Sequence, residues 1–281
     1  MKAAAFDYVR AETLDETLQI LAQRGEGARI LAGGQSLAPA LNLRLAAPEL
    51  LVDIGGLTQL RYIEPNGDSL RIGALTRHVD IARSEWLARH CPLLTRAIAE
   101  VAHPAIRNRG TLGGSLAQAD PAAELPACMV ALDAVIVAAG PSGERRIAAR
   151  DFFLGVYETA LRTDEVLTSV EIDGLDAGRA YGFAELSRRS GDFAIVGLAL
   201  AARRSDAGLD DVRLVYFGVA DRPTPAPAAA ALATRDMDAA RAALVADLDP
   251  VSDSQASSAL RLHLAGVLLE RAFAQASEAQ T

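Results

Sequence analysis

Two apolar patterns alternate through the first 170 or so residues. After the capping-box sequence Thr13-Leu-Asp-Glu16, apolar residues recur at helical spacing (Leu14, Leu18 and Leu21), which predicts a helix up to Arg24. Short unbroken apolar runs, "ARILAGG" and "ELLVDI", predict strands, so the chain opens strand–helix–strand with a glycine-rich loop directly after a strand. "SLRIGALTRHVDIARS" reads as a strand into a short helix, and "PLLTRAIAEVA" as a helix with Leu94, Ile98 and Val101 on one face. Asp120-Pro121 predicts a helix start that runs through "AAELPACMVAL", with Pro126 disturbing its first turns. "AVIVAA" and "VLTSVEI" are strands on either side of the Gly140–Gly143 turn.

Past Gly174 the pattern changes. "RAYGFAELSRRS", "FAIVGLALAARRS" and "DVRLVYFGVAD" are three strand-like runs with short polar turns, as in an antiparallel meander. A Pro/Ala-rich stretch then precedes a helix near Asp238–Val245, and a last helix is expected to open at a Ser252–Gln255 capping box and reach about Ala274. The domain boundary is expected near Gly174–Gly178, and no repeat of solenoid period is visible.

Composition narrows the function classes. A chain of 281 residues can bury about 75% of its unfolded surface. Its apolar content of 51% contains no stretch long enough to cross a bilayer, and Asp7, Glu12 and Asp15 arrive too early for a signal-peptide core. A formal net charge of −8 argues against a general nucleic-acid binder. A soluble, cytoplasmic protein is the expectation. The two cysteines, Cys91 and Cys128, form no C-x-x-C pair, so neither a disulfide framework nor an iron–sulfur cluster is expected on this chain.

Two Gly-Gly pairs, each followed closely by Ser, carry the candidate chemistry: "LAGGQSL" over Leu31–Leu37 and "TLGGS" over Thr111–Ser115. A P-loop is excluded because no Lys follows either pair, and no G-x-G-x-x-G is present. Consecutive N–H groups around glycine can still form an anion-binding concavity. Gln35, Ser36, Thr111 and Ser115 add donors without bulk, and Arg107 and Arg109 precede the second loop. Each loop alone reads more readily as a tight turn, and it is the pair that points to a shared ligand.

The segments "LAGGQSLAPALNLRLAAPELLVDI" and "PAIRNRGTLGGSLAQADPAAELPA" resemble the FAD-binding medium subunit of molybdenum hydroxylases, and "RIGALTRHVDI", "VLTSVEI", "SRRSGDFAIV" and "FGVADRP" follow in the same order. The resemblance implies an α+β fold of the PCMH/vanillyl-alcohol-oxidase type. It places two FAD-binding subdomains at about 1–56 and 57–176, and a C-terminal domain with a three-stranded antiparallel sheet and helices at 177–281. It implies that Leu31, Ala32, Gly33, Gly34, Gln35, Ser36 and Leu37 wrap the pyrophosphate and ribityl chain of FAD, and that Thr111, Leu112, Gly113, Gly114 and Ser115 form a second cradle. Glu124 is implied to reach the sugar portion, Leu167 to touch the ring system through its backbone, and Phe193 to cover one isoalloxazine face. Ser115 stands where relatives carry Asn or Asp, Phe193 where Tyr is common, and Ala184 where some carry Lys. The implied role is electron transfer from two [2Fe–2S] clusters of a small subunit, fed by a large molybdenum–pterin subunit, through FAD to NAD⁺, a quinone or another acceptor. A dimer of heterotrimers is the implied assembly. The flavin is expected to be non-covalent, since neither loop contains His or Cys. No residue of this chain is assigned a catalytic or metal-ligating role.

Plainer readings stand beside these. Glu124 could serve only the helix macrodipole, Phe193 could be core, His103 a helix C-terminal residue, His78 a surface helix residue, and Arg188-Arg189 a solvated turn. A stand-alone flavin oxidase of the same fold, and a non-enzymatic α+β binding module whose glycines are only turns, are the alternative functions.

Overall fold

A computed structural model describes residues 2–206 and 208–278. Three strands, β1 (Asp7–Arg10), β2 (Ala28–Leu31) and β3 (Leu50–Asp53), form a parallel sheet in the order β1-β3-β2. The helix Leu14–Arg24 crosses between the first two. Thr13 Oγ1 accepts the Glu16 N–H at 3.0 Å, and Glu16 returns by accepting the Glu12 N–H at 2.7 Å, so the box closes one residue earlier than predicted. Leu21 is the buried anchor of this helix, packed with Leu50, Val52 and Ile54.

The second sheet is antiparallel: β4 (Ile63–Asn66), β5 (Ser69–Gly73), β6 (Val135–Gly140), β7 (Gly143–Ala148) and β10 (Val166–Ile172), in the order β4-β5-β10-β6-β7. A small hairpin, β8 (Phe153–Gly155) and β9 (Glu158–Thr159), precedes β10. At the β6–β7 edge Glu165, with its side chain 5% exposed, takes two bonds from Arg145 at 2.9 and 2.6 Å, which hold its carboxyl below the usual range despite burial.

The C-terminal sheet has the three predicted strands, β11 (Arg179–Ser187), β12 (Ala194–Ser205) and β13 (Gly208–Phe217), plus a fourth, β14 (Thr224–Pro225). The expected three-stranded sheet therefore gains a two-residue edge strand, where proline is tolerated because the outer N–H has no partner to find. Both faces of this sheet are buried. Tyr181, Phe183, Ala199, Ala201 and Phe217 face one core with Leu93, Leu94 and Met129, whereas Ala184, Leu198, Leu200 and Tyr216 face another with Leu268 and Leu269. Period-two alternation between two apolar surfaces explains why β12 reads as an unbroken apolar run.

Two helix starts differ from expectation. Asp120 does not cap the helix that contains Cys128: its carboxylate accepts the Ala122 N–H two residues on at 2.9 Å, and the helix begins at Glu124, which puts Pro126 within the first turn, where no N–H is needed. The last helix, Ser258–Ser277, is capped by Ser257, while Asp253 folds the preceding loop by accepting from Gln255 and Ala256. Among the described residues, no helix is long and apolar enough to cross a membrane.

Candidate functional site

The first glycine loop lies at the C-terminal end of β2. A Cβ on Gly33 would stand 2.3 Å from the Arg109 carbonyl oxygen and 3.0 Å from the Gly110 Cα, so the first loop packs closely on the backbone that leads into the second. Gly34 sits at φ +71°, a region that side chains disfavour. Gln35 Nε2 donates to the Gly33 carbonyl at 3.0 Å, and the helix Leu37–Asn42 follows with no side-chain cap from Ser36. The backbone N–H groups of Gly33, Gly34, Gln35 and Ser36 donate to no acceptor among the described residues. Four adjacent free donors on a loop with no Cβ at its centre suit a phosphate-type anion.

The second loop is built differently. The Leu112 N–H donates to Thr76 O (2.9 Å), Gly113 N–H to Ala74 O (2.8 Å), Gly114 N–H to Thr111 Oγ1 (3.1 Å) and Ser115 N–H to Thr111 O (3.0 Å). The amides of Leu112–Ser115 are therefore spent on the β5 extension and on the helix Leu112–Gln118. What the loop offers outward is the Ser115 hydroxyl and a surface without bulk. Gly113 is glycine because a Cβ would strike Ala74 at 2.7 Å. Leu167 joins the same network: its side chain is buried in the core, and the next residue's carbonyl, Thr168 O, accepts the Ala74 N–H at 2.9 Å.

His78 is the largest departure from the sequence reading. It is buried, not a surface residue, and props the second loop: its N–H donates to Gly110 O at 3.0 Å, and Nε2 lies 3.1 Å from Thr111 O. Burial pushes its pKa down to about 4, so the ring is neutral with Nε2 as the donor. Of the two arginines before the loop, Arg107 is committed, binding Val101 O and Ala102 O at 2.8 and 2.9 Å at the end of the helix Pro92–Glu100. The Arg109 side chain is exposed and makes no hydrogen bond among the described residues. His103 stands at the N-terminal boundary of the short helix Pro104–Arg107, not at a helix C-terminus.

Glu124 begins its helix, with its side chain turned into the interior at 8% exposure. No other side chain bonds its carboxyl among the described residues, and burial, with repulsion from Asp120 and Glu100, pushes its pKa up to about 7. A carboxylate serving only the helix dipole would be held low. The sequence reading did not single out Glu185 on β11, whose pKa burial and the Glu124 and Glu100 charges push up to about 8, and whose Oε2 has no partner. Only alternation along β11 could have flagged it, since Phe183 and Glu185 share a face.

Phe193 is not core. It is 63% exposed at the tip of the β11–β12 hairpin. That tip folds onto the region before the second loop: Gly191, at φ +85°, rests so close to the His103 ring and Ala102 O that a Cβ would stand 2.7 to 2.9 Å away. An aromatic face left uncovered there can take a planar ring.

The family model of the FAD binding domain in molybdopterin dehydrogenase matches residues 4–172, and that of the CO dehydrogenase flavoprotein C-terminal domain matches 181–276. The 6-hydroxypseudooxynicotine dehydrogenase complex subunit alpha of Paenarthrobacter nicotinovorans is 38% identical, covering 98% of this chain and 96% of the relative. The carbon monoxide dehydrogenase medium chain of Hydrogenophaga pseudoflava is 33% identical, covering 95% and 96%. Among solved structures, carbon monoxide dehydrogenase from Hydrogenophaga pseudoflava superposes with a TM-score of 0.94 at 34% identity over 98% of each chain. Quinoline 2-oxidoreductase from Pseudomonas putida 86 gives 0.92 at 37% identity, over 99% of this chain and 98% of that one.

Proposed function

The chain belongs to the FAD-binding subunits of the molybdopterin dehydrogenases, and from that premise we propose how its residues hold the flavin and what they do there. It is an oxidoreductase subunit whose cofactor is FAD. Its partners are a small [2Fe–2S] subunit and a large molybdenum–pterin subunit, as the medium and alpha subunits named among its relatives imply. A bound flavin exchanges electrons singly or in pairs, which lets one site join cluster chemistry to a two-electron acceptor.

One observation carries the assignment of residues: the free N–H run of Gly33–Ser36 starts at a glycine packed on Arg109–Gly110, the residues that lead into the second loop. Leu31–Leu37 supply the amides that hold the pyrophosphate, and Arg109 adds charge. Thr111–Ser115 form a small-residue wall whose position is fixed by Ala74, Thr76 and His78. Glu124 meets a sugar hydroxyl, the Leu167 backbone borders the ring, and Phe193 covers one ring face. The lack of His or Cys in the loops supports a non-covalent cofactor. The division near residue 176, a cytoplasmic location, an assembly of paired heterotrimers, and transfer to NAD⁺ or a quinone belong to this same reading.

The test is direct. The purified chain should be yellow, acid precipitation should release all the flavin as FAD, and the isolated chain should turn over no organic substrate. Colour kept in the washed pellet, or substrate oxidation by this chain alone, would overturn the reading.

A further inference from the structure

A cleft of about 390 Å³ lies between the helix Glu85–His90 and the start of the C-terminal sheet, lined by Arg89, His90, Asp176, Arg179, Tyr181 and Arg204. None of these residues belongs to the flavin site. We propose that this cleft binds a dianionic phosphate group, either free or as a small phosphate monoester.

Charge is the first argument. Three guanidinium groups line the cleft in a chain of net charge −8. The single lining carboxylate, Asp176, is already taken by Arg203 at 2.9 and 3.1 Å and by the Gly178 N–H at 2.8 Å, and Arg203 is not a lining residue. Arg179 gives Nε–H to the Gly174 carbonyl at 2.7 Å and comes no nearer than 4.0 Å to Asp211. Among the described residues, the Arg204 guanidinium bonds only neutral carbonyls at the end of the last helix, Glu278 O at 2.6 Å and Ser277 O at 3.5 Å. Arg89 pairs with Glu85, but both side chains are exposed and such a pair is easily exchanged. Like charges gathered in a cleft without a committed counter-charge favour an anion.

Tyr181 is the second, independent argument. It is 2% exposed, lines the cleft, and its hydroxyl has no hydrogen-bond partner among the described residues. Its polar neighbour is the thiol of Cys91, a weak partner that burial pushes up to about 12 and so keeps neutral. Burial also raises the phenol, which stays protonated as a donor. An orphaned buried hydroxyl in a native fold calls for a partner. Guanidinium forks with one neutral donor match phosphate oxygens, and the volume leaves room for a small organic group.

The experiment is calorimetric titration of inorganic phosphate into the FAD-loaded full chain, with chloride holding ionic strength constant. Saturable binding is expected, weakened about tenfold by Arg89→Gln, the loss of one charge-assisted contact, and several-fold by Tyr181→Phe. Neither variant should change FAD content, and Arg89 is exposed enough for its variant to fold. A parallel titration with ribose 5-phosphate separates the two sources: tighter binding than inorganic phosphate identifies a monoester, and equal binding identifies the free ion. No saturable binding above chloride would overturn the proposal. So would binding unchanged in both variants, or binding lost in Gly33→Ala but intact in Arg89→Gln, which would move it to the glycine loops.

Discussion

Glu124 offers the sharpest quantitative test. Its carboxyl is raised from an ordinary 4.5 to about 7, chiefly by burial. The folded state therefore holds this proton more tightly than the unfolded chain. The associated stability is fully present below pH 4.5 and is lost as pH rises through 7. Integrating that difference gives about 3 kcal/mol in total, of which roughly 2.5 kcal/mol falls between pH 5 and pH 8. A raw pH profile would hide it, because His78 acts in the opposite direction. With its pKa lowered to about 4, its contribution is present above pH 6.5 and is lost as pH falls through 4. Glu124→Gln isolates the carboxyl, since glutamine copies the neutral form. In urea denaturation of the flavin-free chain, the variant should gain roughly 2.5 kcal/mol over wild type between pH 5 and pH 8. Removing the charge also relieves Glu185, which adds to the gain. A difference between the two proteins that stays flat over this range would refute the buried, unpaired carboxyl.

The other predictions bear on the loops and the hairpin tip. Gly33→Ala places a Cβ 2.3 Å from Arg109 O; it should cost about 1–3 kcal/mol and lower FAD content, whereas Gly114→Ala, which meets only Thr111 Oγ1, should cost about 1 kcal/mol through the helix cap. Denaturation midpoints and the flavin-to-protein absorbance ratio check both. Phe193→Ala, at a 63% exposed position, should leave stability within about 0.5 kcal/mol. In the assembled complex it should alter flavin reoxidation while cluster bleaching by substrate proceeds normally, and rapid-mixing spectra with slow bleaching and normal reoxidation would contradict the placement of Phe193.

Most elements were legible because their patterns are local. Leu14, Leu18 and Leu21 mark a helix face, and the first glycine pair follows a strand, as observed. What escaped the sequence was decided by partners distant in the chain. His78 looks like a surface helix residue until Gly110 and Thr111, more than thirty positions on, close over it. The two loops look alike as text, yet the β5 extension claims the amides of one and leaves those of the other free. Asp120 and Ser252 carry good capping signals, but Asp120 spends its side chain on a tight turn and Ser257 takes the cap of the last helix. Glu185 became conspicuous only once the fold buried it within reach of the Glu124 and Glu100 charges.

The doubly buried C-terminal sheet bears on how the gene can be cut and rejoined. The covalent junction near residues 173–178 is a handful of residues, but Tyr181, Phe183, Ala199, Ala201 and Phe217 close the same core as Leu93, Leu94 and Met129. Expressed apart, the two halves would each present a broad apolar wall to water, a surface prone to aggregation. Lengthening the junction with flexible residues is a much smaller insult, because loop closure entropy grows only slowly with length. The segment is therefore a place where insertions are tolerated and scission is not, and fragments of this protein meant for study need to keep β11 to β13 with the helices they cover.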